Sequence, residues 1–216
     1  MTLATESNLA VESVAAAQPA QQQFVLASAS PRRQELLRQA GYQFIVDPAN
    51  IDEEDYPRDI LPSELALKLA QEKADAVAAR HPADVVLAAD TVVAFGDLIL
   101  NKPRDANQAR KMLRLLSGTT HLVITGVAVV RLVPGFAQQA RVMSAVRMRL
   151  LSSRQIEQYV ESGLWQGKAG GYGIQDPDPF VERLRGCHTN IVGLPMTTTK
   201  ALLAAAGIHP AAPHPP

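Results

Sequence analysis

Asp90 lies within Val85-Val86-Leu87-Ala88-Ala89-Asp90-Thr91-Val92-Val93, an apolar, β-prone run interrupted by one carboxylate. Such a run reads as a buried strand at the centre of a sheet. A carboxylate there needs a cation, a metal ion or a helix N-terminus beside it, because burying the charge unpaired is costly. Taken alone, an Asp that caps the next turn would fit as well. The rest of the chain, however, supplies partners of one chemical kind. Arg32, Arg33, Lys73 and Lys102 are candidate cations, while Asp52, Glu53 and Asp90 are candidate metal ligands. Several cations with a few carboxylates form the inventory for a polyphosphate bound together with a divalent ion.

The elements that must position these residues follow from the patterning. Phe24-Val25-Leu26-Ala27 reads as a short strand, followed by a Ser28-Ala29-Ser30 loop. Ser30 suits an N-cap and Pro31 the first helical position, with the helix running to Ala40 and stopping at Gly41. Strand, serine loop and helix N-terminus make an anion site around Ser28, since free N–H groups and the helix dipole point at the loop. Arg32 and Arg33 oppose that dipole, which calls for an anion there to offset them. Phe44-Ile45-Val46 is a second strand, leading into the acidic loop Asp52-Glu53-Glu54-Asp55.

In the helix expected from Ser63 to Arg80, one face carries Ala66, Leu69, Ala70, Lys73 and Val77. Lys73 sits in the middle of that stripe, so it is read as turned inward towards a buried charge, while Lys68 lies off it. A hairpin through Phe95-Gly96-Asp97 leads to the loop carrying Lys102. Asp105 and Gln108 form a capping-box pattern opening a helix that stops at Gly118. His121–Arg131 and Ser144–Leu150 are strands joined through Pro134-Gly135. Ser152 opens another capped helix, ending at Gly163. Gly167-Lys168-Ala169-Gly170-Gly171-Tyr172-Gly173-Ile174-Gln175 permits close backbone approach to a ligand, and its spacing is neither that of a Walker loop nor of a dinucleotide fingerprint. Phe180–Arg185 is a strand, Gly186–Pro195 a loop, and Met196–Ala206 a last helix stopped by Gly207.

Composition bounds the function. Among 216 residues, 21 acids balance 21 bases, which argues against a general nucleic-acid or membrane surface. The single cysteine, Cys187, excludes an intramolecular disulfide framework and is read as a packing residue. No basic residue precedes Arg32, so residues 1–22 do not read as a secretory signal but as a disordered, Ala- and Gln-rich extension. No run reaches the ~18 apolar residues of a membrane span. A single domain is expected over residues 23–208, with a Pro-rich disordered tail over 209–216, in a cytoplasmic protein. Alternating strands and helices predict an α/β fold with a mixed sheet.

Ser28-Ala-Ser-Pro-Arg-Arg33, Glu72-Lys73-Ala74, Ala88-Ala-Asp-Thr-Val-Val93, Lys102-Pro103, Ser117-Gly118, Thr125-Gly126-Val127, Lys168-Ala-Gly-Gly-Tyr-Gly-Ile-Gln175 and Asn190-Ile-Val-Gly-Leu-Pro195 occur in this order. Together they resemble the Maf family of nucleoside triphosphate pyrophosphatases over about residues 24–208. The Asp-Thr-Val-Val and Tyr-Gly-Ile-Gln forms resemble the branch acting on dTTP and UTP, not that acting on 7-methyl-GTP. The resemblance implies a two-lobed α/β fold similar to that of inosine triphosphatases, an elongated mixed sheet flanked by helices, and an inter-lobe cleft. It implies hydrolysis of dTTP, UTP or related pyrimidine nucleotides to the monophosphate and diphosphate with Mg²⁺ or Mn²⁺. By motif position Asp90 matches the proton acceptor, while Arg33, Thr91 and Gln175 match positions linked to substrate choice. Asn101 stands where the family has glycine, a position suited to left-handed backbone.

The mechanism expected from this set has the ion held by Asp90 and Glu53. Arg32, Lys73 and Lys102 neutralise the leaving diphosphate, with Ser28 completing the anion site. The expected partners are the triphosphate and at most a second copy of the chain, with no nucleic acid and no membrane. The resemblance carries a second reading, a nucleotide-binding regulator that inhibits septum formation and needs neither Asp90 nor a metal. A phosphoryl-transfer kinase would require the Walker loop that the glycine run does not provide.

Overall fold

The computed structural model describes residues 23–211. The extension expected over residues 1–22 and the end of the tail, 212–216, lie outside the described residues. Seven strands are described: β1 (Phe24–Leu26), β2 (Phe44–Val46), β3 (Val86–Phe95), β4 (Leu98–Leu100), β5 (Thr120–Arg131), β6 (Phe136–Met148) and β7 (Val181–Arg185). They form one sheet in the order β2-β1-β3-β5-β6-β7, with β4 paired to β3. β1 pairs in parallel with β2 and β3, and the other pairings are antiparallel. Six α-helices are found among the described residues: α1 (Pro31–Gln39), α2 (Pro62–Ala78), α3 (Ala106–Leu116), α4 (Ser153–Glu161), α5 (His188–Val192) and α6 (Met196–Ala205). The mixed α/β architecture read from the sequence is the one observed.

Successive side chains of a strand point to opposite faces, and β3 uses both. Its odd-numbered residues Leu87 and Ala89, with Val85 just ahead of the strand, join Phe24, Leu37, Leu194 and Leu203 in one core, beneath α1 and α6. Further along the same face, Val93 enters a second core with Leu113, Ile156, Trp165 and Phe180. Its even-numbered residues Val86 and Ala88 pack against Ala70, Ala74 and Val77 of α2, and Val92 and Ala94 against Leu65 and Leu69. On each face, one residue between the two apolar groups is left over. These are Thr91 and Asp90.

Local signals decide several boundaries. Gly41, Gly118, Gly163 and Gly207 follow helices with positive φ, as left-handed stops do. Ser152 and Gln155 make a reciprocal capping box on α4. At α3 only half of such a box forms: Asp105 accepts from the Gln108 N–H, while the Gln108 side chain accepts from the Arg104 N–H. Ser30 occupies the N-cap of α1 without a side-chain capping bond. Its own N–H donates to Ser28 Oγ at 3.3 Å, so the serine loop closes on itself.

Two further expectations are corrected. The Gly186–Pro195 stretch contains the short helix α5, anchored by buried Asn190, which donates to the Val123 carbonyl and to Ser144 Oγ. The strand expected from Ser144 begins at Phe136, because residues 136–147 pair continuously with β5. Beyond α6, Ala211 N–H donates to the Gly41 carbonyl at 2.8 Å, seating the start of the Pro-rich tail on the end of α1.

Candidate active site

Asp90 and Thr91 are registered against Gly126 and Thr125 of β5. On the α2 face, Gly126 stands beside Asp90 under the helix. A Cβ at Gly126 would lie 2.1 Å from the Ala66 carbonyl oxygen, so only glycine lets the α2 backbone come this close to the sheet. That approach brings Lys73 over Asp90. Both side chains are almost fully buried, and Lys73 Nζ lies 2.5 Å from Asp90 Oδ1. The inward reading of Lys73 from its helical stripe therefore holds.

The same ammonium lies 2.7 Å from Glu53 Oε1, and the other Glu53 oxygen lies 2.8 Å from Lys102 Nζ. Asp90, Lys73, Glu53 and Lys102 thus form an alternating chain of charge running from the sheet to the solvent. Burial pushes the Glu53 carboxyl up, but Lys73 and Lys102 outweigh it and hold it down at about 2. Asp52 is not part of this chain. It is exposed and accepts from the Glu54 N–H at 2.9 Å, serving the turn of its own loop. Asn101, ahead of Lys102, is not left-handed, as no described residue other than glycine has positive φ. Its side-chain amide donates to the Tyr56 hydroxyl at 3.0 Å.

On the opposite face Thr91 meets Arg33. The buried guanidinium donates through Nε to the Gly193 carbonyl (2.8 Å), through Nη1 to Ser28 Oγ (3.0 Å) and through Nη2 to Thr91 Oγ1 (3.2 Å). Thr91 Oγ1 is in turn 2.9 Å from Thr125 Oγ1. Burial lowers the Arg33 pKa from its ordinary value, and the nearby Asp90 charge opposes that shift. Arg32 reaches the other way and donates to the Gly167 carbonyl at 2.9 Å, linking α1 to the glycine-rich loop. Both arginines thus bond to oxygens outside α1.

These groups surround a cavity of about 550 Å³. Ser28, Arg32, Arg33, Glu53, Lys73, Thr91, Lys102 and Gln175 all line it, whereas Asp90 does not: the wall in front of Asp90 is Lys73. The cavity also takes its lining from the β1–α1 connection on one side and from the stretch 166–175 on the other, and it collects residues from both faces of β3, Lys73 from one and Thr91 and Val93 from the other. Gly170 shows why the loop is rich in glycine. Its φ is +68°, and a Cβ there would come within 3.0 Å of Val93 Cγ2. His121 lies buried with Nε2 2.6 Å from the Tyr172 hydroxyl, outside the cavity lining.

Lys168 was not singled out as a site residue from the sequence, yet it is buried and lines the cavity. The signal was a lysine inside a run noted only for its glycines. Its ammonium is bonded to Asp176, so its charge is already paired, and the same carboxylate also acts on nearby Arg32. Cys187 is half-buried at the start of α5, with Sγ 3.1 Å from Thr189 Oγ1.

Asp90 and Glu53 already present an oxygen each to one cationic centre, the Lys73 ammonium. Among the described residues no group of three or more His, Cys, Asp or Glu could hold a metal ion by itself. Two carboxylates with the remaining positions left to phosphate oxygens and water are the usual protein share for Mg²⁺, so the donor set fits such an ion when a polyphosphate comes with it. No helix among the described residues is long and apolar enough to cross a membrane.

A dTTP/UTP pyrophosphatase of Cereibacter sphaeroides is 50% identical over 186 residues, covering 85% of this chain and 95% of that protein. One of Caulobacter vibrioides is 48% identical over 188 residues, covering 86% and 96%. One of Thermomicrobium roseum is 49% identical over 184 residues, covering 85% and 84%. The family model described as Maf-like protein matches residues 23–206, and the chain belongs to that family.

Proposed function

We propose that this protein hydrolyses dTTP and UTP to the monophosphate and diphosphate. The observation that carries the reading is the chain Asp90–Lys73–Glu53–Lys102 at the wall of a cavity also lined by Arg32, Arg33 and Ser28. The relatives that match most of the chain are named for this activity.

In the reaction, the triphosphate enters with its phosphates towards Arg32, Lys73 and Lys102. An incoming phosphate oxygen competes with Asp90 for the Lys73 ammonium, and drawing Lys73 forward uncovers Asp90. Asp90 then accepts a proton from a water whose oxygen forms a bond to the α-phosphorus. The bond from that phosphorus to the bridging oxygen breaks, and diphosphate leaves with the electron pair. Lys73, Lys102 and Arg32 stabilise the charge it accumulates. Asp90 and Glu53 would hold a divalent ion, Mg²⁺ or Mn²⁺, which supplies further neutralisation of the phosphate oxygens. One N–H on each Arg33 nitrogen is bonded to Ser28, Thr91 or Gly193, which fixes the guanidinium in the wall of the cavity. Gln175, which lines the cavity, reads the base. The enzyme is taken to work in the cytoplasm.

The test is the product formed from UTP by the purified protein with Mg²⁺ or Mn²⁺. Diphosphate and UMP are expected, with turnover falling at least ~10²-fold in Asp90→Asn, the usual scale of general-base help. Orthophosphate and UDP would place attack at the wrong phosphorus. Nucleotide binding without turnover would leave the protein a nucleotide-binding regulator.

A further inference from the structure

The glycine-rich loop has few means of holding a shape. Gly167, Gly170 and Gly171 all have positive φ, and the chain there forms only a single 3₁₀ turn. Glycine also loses the most conformational freedom on ordering, so a loop of this kind needs an external restraint. Its start is fixed by Trp165, whose indole N–H donates to the Val160 carbonyl within the core. Its far end carries Gln175, exposed at the cavity, and Asp176, buried immediately behind it.

Asp176 is bonded on both oxygens. Oδ1 receives the Lys168 ammonium, and Oδ2 accepts from the Tyr159 hydroxyl at 2.6 Å. Tyr159 belongs to α4 and packs edge-on against Phe180, so it is a fixed post. Lys168 and Asp176 are the two ends of the loop's turn, and between them the chain passes Gly173. A Cβ on Gly173 would lie 2.7 Å from Asp176 Oδ1 and 2.9 Å from Lys168 Nζ, so the ion pair closes directly over that residue.

We infer that Tyr159, Asp176 and Lys168 form a clasp that positions Gln175, and that this clasp sets nucleotide selectivity and not the rate of the chemical step. The inference deepens the proposed function and rests on it. Adjacent Cα atoms are about 3.8 Å apart, so fixing the Asp176 carboxylate on two sides also fixes the peptide from which the Gln175 side chain projects. An unrestrained amide could turn to present either polarity to a base edge, which would let cytosine compete with uracil. Burial, reinforced by the Asp176 carboxylate, raises the Tyr159 pKa, so the hydroxyl stays a donor across the working pH range. The pairing also explains why a cavity-lining lysine is not counted among the phosphate ligands. Asp176 holds its charge back, and Lys168, Asp176 and Tyr159 are positioning residues.

The test compares the wild-type enzyme with Asp176→Asn and Tyr159→Phe. Asp176→Asn should raise KM for UTP about 10- to 100-fold with little change in kcat, the signature of lost positioning and not of lost transition-state contact. The ratio of kcat/KM for UTP over CTP should narrow by a similar factor. Amide exchange should speed up over residues 167–176 while the amides of β3 and β5 stay protected. Tyr159→Phe, which keeps the ion pair, should move each readout in the same direction by less, and it carries the test should Asp176→Asn fail to fold.

A fall in kcat at unchanged KM would make Lys168 a group acting in the transition state and overturn the clasp. So would faster exchange throughout the protein, or a loosened loop with unchanged selectivity. If the wild-type protein turns over neither UTP nor dTTP, it is the proposed function that fails. The clasp is then judged by loop exchange and by the preference for UMP over CMP in calorimetry, where equal preferences in wild type and variant would overturn it.

Discussion

Asp90 and Gly126 face each other across β3 and β5, the one holding a buried charge and the other leaving room for the helix that neutralises it. The pairing is a packing solution to an electrostatic problem. Lys73 reaches Asp90 because the backbone of α2 lies against a residue with no side chain. Gly126→Ala should therefore act on both stability and activity. The added methyl meets the Ala66 carbonyl, which is backbone and cannot swing aside, so α2 must lift. A loss of about 1–3 kcal/mol is the usual cost of such overpacking, and kcat/KM for UTP should fall with it as Lys73 is displaced. Chemical denaturation and steady-state kinetics on one preparation check both. Normal kinetics in a destabilised variant would detach Lys73's position from the helix approach.

The Lys73–Asp90 pair should show strong coupling. Lys73→Met leaves a buried carboxylate without its cation, and breaking such a pair from one side typically costs about 3–5 kcal/mol. Asp90→Asn should cost less, because Lys73 keeps Glu53 at 2.7 Å. The double variant removes both charges and should be more stable than the sum of the single losses predicts, by an interaction energy of about 0.5–3 kcal/mol. A double-mutant cycle in urea measures it. Additive losses would mean that the two groups do not stabilise one another.

Much of this arrangement was legible in the sequence, because two of its signals are local contradictions. A carboxylate in an apolar strand and a lysine in an apolar helical stripe each demanded a partner, and they proved to be each other's partner. Glu53 was named from the acidic loop with Asp52 beside it as a candidate, and it is Lys73 and Lys102, distant in the chain, that single it out. The clasp was equally hidden: Lys168 and Asp176 meet only because Gly173 lets the loop fold between them. α5 has five residues, too few to show a helical period. The first half of β6 is largely exposed, so it lacks the apolar alternation that marked the second half.

Acid should act on Glu53 only at very low pH. Its carboxyl titrates at about 2 in the folded protein and about 4.5 as an unperturbed group. A depressed folded pKa contributes stability that is fully present above about 4.5 and is lost as pH falls through 4.5 towards 2. The stability difference between wild type and Glu53→Gln should then be flat from neutrality down to about pH 4.5 and shrink below it. Urea midpoints of both proteins across that range provide the check. The comparison is needed because His121, held down at about 4 by burial, removes stability from both proteins as pH falls from its ordinary 6.5. A difference that already shrinks between pH 7 and 5 would show that Lys73 and Lys102 do not hold Glu53 ionised.

Base choice should rest on Gln175. Its amide carries both a donor and an acceptor, and together they complement the N3–H and O4 edge of uracil or thymine. The side chain lines the cavity at the end of the glycine-rich loop, where close backbone narrows the space left for a purine. Among the described residues neither Arg33 nor Thr91 bonds to Gln175. Arg33 is committed to Ser28, Thr91 and Gly193, and Thr91 to Thr125. Where the amide is presented is set by the backbone that Asp176 holds behind it. Gln175→Ala should cost about 1–3 kcal/mol in kcat/KM for UTP, the range for leaving a buried hydrogen-bonding edge unpaired. The loss for CTP should be much smaller, since its edge has the opposite polarity and gains little from the wild-type amide. Steady-state kinetics with both nucleotides decides the matter. Equal losses for UTP and CTP would mean that Gln175 supports the loop and does not read the base.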